Sequence, residues 1–455
     1  MNKRLKYGSG SAIFVMLTLA VIIVINALAA SHHKRWDFTE TGSFSLSPQT
    51  LKTLQGLEGD VTVYSFVKPD AAKLAQDILE QYAYESKKIH YEIIDPDKKP
   101  ALAKKYDVRE YNTHVVETSQ GRKEVVKRLT EESLTNAILK ATSPGVKKVY
   151  LLEGHGERGP DDNSPKGWFA ARQALESAGY AVETLNFLKT PEIPADADLV
   201  IIPGPTKDIQ PTEADKLRKR LDSGRALIAA LDPGKTPNLQ NLLKEYGFET
   251  VDDIVLDPVS QQLGFDALVA AVAEYGPHPA VKGFNAATFF PMARSLEIGP
   301  GKGKIAPVVV GQSSQHGWSE TDMGSIEKGT PEFDEKKDLP GPRVIVAAAE
   351  WEAGQAKEER KIGEKAEKTR LVVAGDADFA SNSAIGISGN RDIFLNLVSW
   401  SLEQENRISI RPKAKGFNPI LFTQTQLAAI FWVSVALLPM MVIVAGVYVW
   451  KKRRV

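Results

Sequence analysis

Two uncharged apolar runs, one near each end, limit what this chain can fold into. The first is 11–30, SAIFVMLTLAVIIVINALAA, and the second is 427–447, LAAIFWVSVALLPMMVIVAGV. Each is close to the roughly 20 apolar residues that a helix needs to cross a hydrocarbon core of about 30 Å. Lys3, Arg4 and Lys6 precede the first run, and Lys451, Lys452, Arg453 and Arg454 follow the second. The positive-inside rule therefore predicts cytoplasmic tails and an extracytoplasmic body between them. Trp432 and Trp450 stand near the ends of the second run, where interfacial aromatics belong, and Pro439 lies within it. Ala27-Leu28-Ala29 also fits a signal-peptide cleavage site, so retention of the first helix has cleavage as its alternative. The expected organisation is a cytoplasmic tail at 1–10, a transmembrane helix at 11–30, a first domain at 35–142 and a second at 146–406. The second domain carries an insertion at about 255–340. A linker follows at 407–426, then a transmembrane helix at 427–447 and a cytoplasmic tail at 448–455.

Composition narrows the chemistry of the body. There is no cysteine, which removes disulfides, thiolate metal sites and thiol nucleophiles together. Lys+Arg and Asp+Glu both number 57, and no basic stripe is present, so nothing points to nucleic acid. A mean hydropathy of -0.22 excludes a polytopic membrane protein.

Within the body, Ser47-Pro48 reads as a helix start, with a hydroxyl cap followed by proline at the first helical position. Strands are predicted at 61–67, 89–94, 114–118 and 123–128. Helices are predicted at 71–84, 101–106 and 130–140, with Leu74, Ile78 and Tyr82 as the apolar side of the first. This β-α-β-α-β-β-α order is that of a thioredoxin-like unit, but a redox thioredoxin needs C-x-x-C. From 147 onward, strands alternate with helices, and 199–202 and 226–231 are apolar throughout. That pattern predicts a parallel sheet covered on both faces.

Two glycine motifs fail on context. Gly154 to Gly159 matches G-x-G-x-x-G, but the fingerprint needs a helix to begin there and Pro160-Asp161-Asp162-Asn163-Ser164-Pro165 intervenes, and Glu157, Asp161 and Asp162 would repel a pyrophosphate. Pro233-Gly234-Lys235-Thr236 lacks the first glycine of a P-loop, with Ala229 in its place, and Pro237 follows the threonine. No cofactor and no metal site is expected, and no catalytic residue is assigned. The weak ligand-binding candidates are His155 and Glu157 at the end of one strand, Asp376 and Asp378 at the end of another, and the aromatics Trp168 and Trp318. In open α/β sheets, ligands bind at the rim where such strand ends meet.

The segments RWDFTETGSFSLSPQT (35–50), VYLLEGHGE (149–157), ALIAALDPG (226–234) and AGDADFASNSAIGISGNRDIFLNLVSW (374–400) resemble the GldG-like family, auxiliary components of ABC-type transport systems named for gliding motility. The resemblance implies a thioredoxin-like domain followed by a class I glutamine amidotransferase-like (flavodoxin-like) domain. The amidotransferase nucleophile is a cysteine, so the second domain is expected to be non-catalytic here. The implied partners are an ABC ATPase and a multispanning permease, beside membrane lipid, and the implied location is the bacterial inner membrane with a periplasmic body. Two alternatives stay open: a stand-alone envelope scaffold or glycan-binding protein, and a hydrolase using His155, Glu157 and Asp376 at the sheet rim.

Overall fold

The computed structural model describes residues 45–142, 145–303, 305–353 and 368–404, together with 16, 18, 20, 21, 431–437, 439–441, 443 and 450. The fold is mixed α/β. Ser47 caps helix α1 (Pro48–Gln55), its Oγ accepting from the Thr50 N–H at 3.3 Å. Strands β1 (Val61–Phe66), β2 (Ile89–Ile94), β3 (Thr113–Thr118) and β4 (Lys123–Val126) form a four-stranded sheet in the order β2-β1-β3-β4. The β1/β2 pair is parallel, and helix α2 (Pro69–Glu85) supplies the crossover that a parallel pair needs; β1/β3 and β3/β4 are antiparallel. Helix α3 (Pro100–Lys105) precedes β3, and α4 (Glu131–Thr142) packs on β3 and β4. The buried face of α2 is Ala75, Leu79 and Tyr82, while Leu74 is exposed.

The second sheet has nine strands. Its parallel half is β5 (Lys148–Leu152), β6 (Ala181–Leu185), β7 (Leu199–Pro203), β8 (Ala226–Ala230) and, late in the chain, β18 (Lys368–Ala374). Alternate residues of one strand enter different cores. Val149, Leu151, Leu199 and Ile201 join the cluster that holds α5 (Phe169–Ser177) and α10 (Asn390–Ser401). Tyr150, Leu152, Val200 and Ile202 join the cluster that holds α6 (Pro211–Asp222) and α7 (Pro237–Glu245). Both faces are covered, which is why β7 and β8 are apolar at every position.

The sheet is not parallel throughout. Strand β17 (Val344–Glu352) pairs antiparallel with β18, and β9 (Phe248–Thr250), β13 (Leu296–Ile298) and β14 (Val308–Gln312) extend it antiparallel, giving the order β6-β5-β7-β8-β18-β17-β13-β9 with β14 on β17. The stretch read as an insertion thus supplies two strands of the main sheet. It also forms a three-stranded sheet from β10 (Ile254–Leu256), β15 (Trp318–Glu320) and β16 (Leu339–Pro340), a hairpin of β11 (Val269–Val272) and β12 (Thr288–Pro291), and short helices α8 (Pro258–Gln262) and α9 (Met323–Glu327).

The expectation of an α/β body flanked by transmembrane helices is corrected. Among the described residues, no helix is long and apolar enough to cross a membrane. Most of 11–30 and 427–447 lies outside the described residues. What is described there is the helical positions 16, 18, 20, 21, 431, 439–441 and 443 and a six-residue π-helical turn, Trp432–Leu437.

Candidate functional site

Because β5, β7, β8 and β18 are parallel, their C-terminal ends open onto one rim. Arg158, six residues past the end of β5, reaches across it. Its Nη2 lies 2.6 Å from Asp232 Oδ2 and 2.9 Å from Asp378 Oδ1, and its Nε donates to the same Asp378 oxygen at 3.0 Å. Asp232 stands two residues after β8, where its other oxygen accepts the Ala377 N–H at 2.8 Å. Asp376, fully buried two residues after β18, accepts the N–H groups of Asp378 and Phe379 at 2.7 and 2.9 Å. The turn after β7 comes close: Gly204 has φ +67, and a Cβ there would sit 2.7 Å from Ala377 Cβ and 2.9 Å from Asp232 Oδ2. Only glycine takes that conformation without strain and leaves room for the carboxylate.

Burial raises Asp376 well above the usual carboxylate range, and the negative charges of Asp232 and Asp378 raise it further. Asp232 is also raised, because burial outweighs the attraction of Arg158.

His155 and Glu157 form a second, adjacent constellation. His155 Nδ1 is 3.0 Å from Glu157 Oε1, and its Nε2 is 2.9 Å from Glu213 Oε2. Glu213 also accepts the Gln210 N–H at 2.7 Å, as the carboxylate of the capping box that starts α6. The hydrogen bond to Glu157 and the two nearby carboxylates raise the His155 pKa against the opposing effect of burial. An imidazolium donates from both nitrogens, so it is the form that satisfies both glutamates. The backbone carbonyl of His155 accepts from Thr206 and Lys207 at 3.0 and 2.9 Å. His155 therefore ties the turns after β5 and β7 to the start of α6.

The candidate residues divide by location. His155, Glu157, Asp376 and Asp378 do gather at this rim. Trp168 is fully buried beneath it: its indole N–H donates to the Ala377 carbonyl at 3.1 Å, and its ring meets Phe394 edge-on at 5.5 Å. It is enclosed, not displayed to a ligand. Trp318 lies on β15 in the three-stranded sheet, edge-on to Phe333. Arg158, Asp232 and Glu213 complete the rim beyond the residues expected from sequence. The position of Asp232 directly behind an apolar strand was the available signal. Among the described residues, no group of three or more His, Asp or Glu side chains is arranged to hold a metal ion.

A family model described as "ABC-type uncharacterized transport system" matches residues 146–396, more than half of the 455-residue chain. The chain belongs to this family. The matched segment of this transport-system family contains every rim residue named above. Residues 40–130 match a domain of unknown function, DUF7088. No curated protein matches the chain.

Among solved structures, the mmIFT52 N-terminal domain is 17% identical, with a TM-score of 0.40 over 56% of this chain and 96% of that one. A thuA-like protein from Parabacteroides merdae is 12% identical, with a TM-score of 0.35 over 57% and 90%. The NTD_N/C domain of alkylhydroperoxide reductase AhpF from Enterococcus faecalis is 19% identical, with a TM-score of 0.20 over 31% and 79%. Likenesses at this level carry no argument about function.

Proposed function

We propose that the protein is an auxiliary subunit of an ABC-type transport system that holds or guides a substrate or partner without transforming it. The observation that carries this reading is the family match over 146–396. The engaged side chains at the rim lend no support to the hydrolase alternative. Both ring nitrogens of His155 face carboxylates, and Arg158 is clamped between Asp232 and Asp378, so neither is offered to a reacting group. In this reading the partners are an ABC ATPase and a multispanning permease, because the chain carries no nucleotide-binding motif of its own. The thiol-free composition suits work at the cell envelope on the extracytoplasmic side, where cysteines mispair.

The test is affinity purification of the full chain from its native host in mild detergent. Stoichiometric recovery of an ABC ATPase and a permease is expected. Recovery of the chain without either, at native expression, would remove the basis for an auxiliary role.

A further inference from the structure

At the opposite end of the nine-stranded sheet, a cleft of about 330 Å³ lies between the last turns of α6 and the segment 192–195 that leads into β7. Its size falls within the roughly 300–1,000 Å³ of small-ligand sites. Four cations line it, Lys216, Lys219, Arg220 and Arg225, against a single carboxylate, Glu192. The carboxylates nearby in sequence are engaged elsewhere: Asp196 with Lys148, Asp198 with Lys147, Asp215 with Arg218 and Asp222 with Lys302. Among the described residues, none of the four cations has a carboxylate within ion-pair distance.

Arg220 is the telling member. Its side chain is buried, yet its acceptors are all neutral: the carbonyls of Ala226, Ala197 and Asp198, each at 3.0 Å, taken by Nε and Nη2. Its Nη1 makes no hydrogen bond among the described residues and is not sealed from solvent. Arg225 stands beside it and donates to the Ala195 and Ala197 carbonyls. Burial and the Arg225 charge lower the Arg220 pKa to about 9, against the weaker attraction of the Asp198 carboxylate, which is itself paired with Lys147. A guanidinium held by carbonyls is positioned, but its charge is not neutralised, and burying such a charge is costly. The C-terminal end of α6 contributes only about half a negative charge, too little to balance four cations.

We propose that this cleft binds a phosphate-type oxyanion, with Arg220 as the fixed donor at its floor and Lys216, Lys219 and Arg225 at its mouth. Arg and Lys together suit this ligand: the guanidinium fork matches a tetrahedral oxyanion geometrically, and the ammonium groups add charge. The site is separate from the rim at the strand C-termini and does not depend on the transport reading. A free phosphate and an anionic phospholipid headgroup share the same chemistry.

The experiment is isothermal titration of the purified full chain, in phosphate-free buffer, with inorganic phosphate and separately with dihexanoyl phosphatidylglycerol below its micelle concentration. Saturable binding of at least one is expected, weakening as salt is raised because the mouth is exposed. The double variant Lys219→Gln/Arg225→Gln should lose about tenfold or more in affinity. Lys216→Gln, which leaves the Arg225 carbonyl bonds in place, should lose severalfold and gives a reading independent of the double variant's folding. Binding of phosphate alone assigns the site to a free phosphate or phosphomonoester, and binding of the lipid assigns it to a headgroup; both support the proposal. No heat with either ligand, or binding that Lys216→Gln and the double variant leave unchanged, overturns it.

Discussion

Arg158→Met keeps most of the length of the side chain and removes the charge that two aspartates share. Arg158 lies 2.6 Å from Asp232 and 2.9 Å from Asp378, and the three side chains are only 13%, 19% and 16% exposed. Removing one partner of a buried ion pair costs about 3–5 kcal/mol, because it strands a charge away from water. Here two carboxylates are stranded, but each can limit its cost by taking up a proton. We expect a loss of about 3–4 kcal/mol near neutral pH, against a total stability of about 5–15 kcal/mol.

The pH dependence carries a definite sign. Asp232 already titrates above the ordinary range with Arg158 present, and without it the folded pKa rises further. A folded pKa above the unfolded value means that the native chain binds the proton more tightly. The variant's deficit therefore shrinks as pH falls through the folded pKa toward about 3.9, and grows as pH rises. Adding Asp232→Asn to the variant removes one stranded charge and should recover about 1–2 kcal/mol. Urea unfolding followed by tryptophan fluorescence reads this directly, since buried Trp168 bonds to Ala377, whose own N–H bonds to Asp232. A deficit under about 1 kcal/mol, or one that does not change between about pH 5 and 8, would refute the assignment of Arg158 as the neutralising group.

Two further outcomes follow from the same rim. His155→Gln should flatten part of the stability profile: the raised histidine pKa contributes stability that is complete below about 6.5 and is lost as pH rises through the folded value. Denaturant midpoints across that window should therefore differ most between wild type and variant on the acid side. Gly204→Ala should cost about 2 kcal/mol or more, because φ +67 and a Cβ within 2.9 Å of Asp232 must both be accommodated. A thermal midpoint unchanged from wild type would mean that the turn after β7 yields freely.

Local elements were largely legible. The strand predicted at 61–67 occupies Val61–Phe66, that at 89–94 occupies Ile89–Ile94, and the apolar run at 199–202 occupies Leu199–Pro203. The serine cap predicted before Pro48 is present as well. The phase of α2 was not. Leu74, Ile78 and Tyr82 are spaced by four, and at about 3.6 residues per turn such a stripe drifts around the helix. The sheet selects Ala75, Leu79 and Tyr82 instead, leaving Leu74 exposed. At the rim, His155 with Glu157 was legible because the two are neighbours in sequence. Glu213 as the second histidine partner was not, and neither was Arg158 as the bridge between Asp232 and Asp378.

Taken alone, the order of residues determined which segments become strands, which strands are buried on both faces, and that no thiol chemistry is available, because those properties depend on side-chain type and short-range periodicity. Tertiary structure decided that the late strand β18 inserts beside β8, that the sheet turns antiparallel beyond it, and which acids meet which base at its two ends. The physical reason is range. A hydrogen bond within a turn is encoded by neighbours, whereas the charge balance around Arg158 and the carbonyl cradle around Arg220 exist only after segments tens to hundreds of residues apart have been brought into register by the burial of the sheet between its helices.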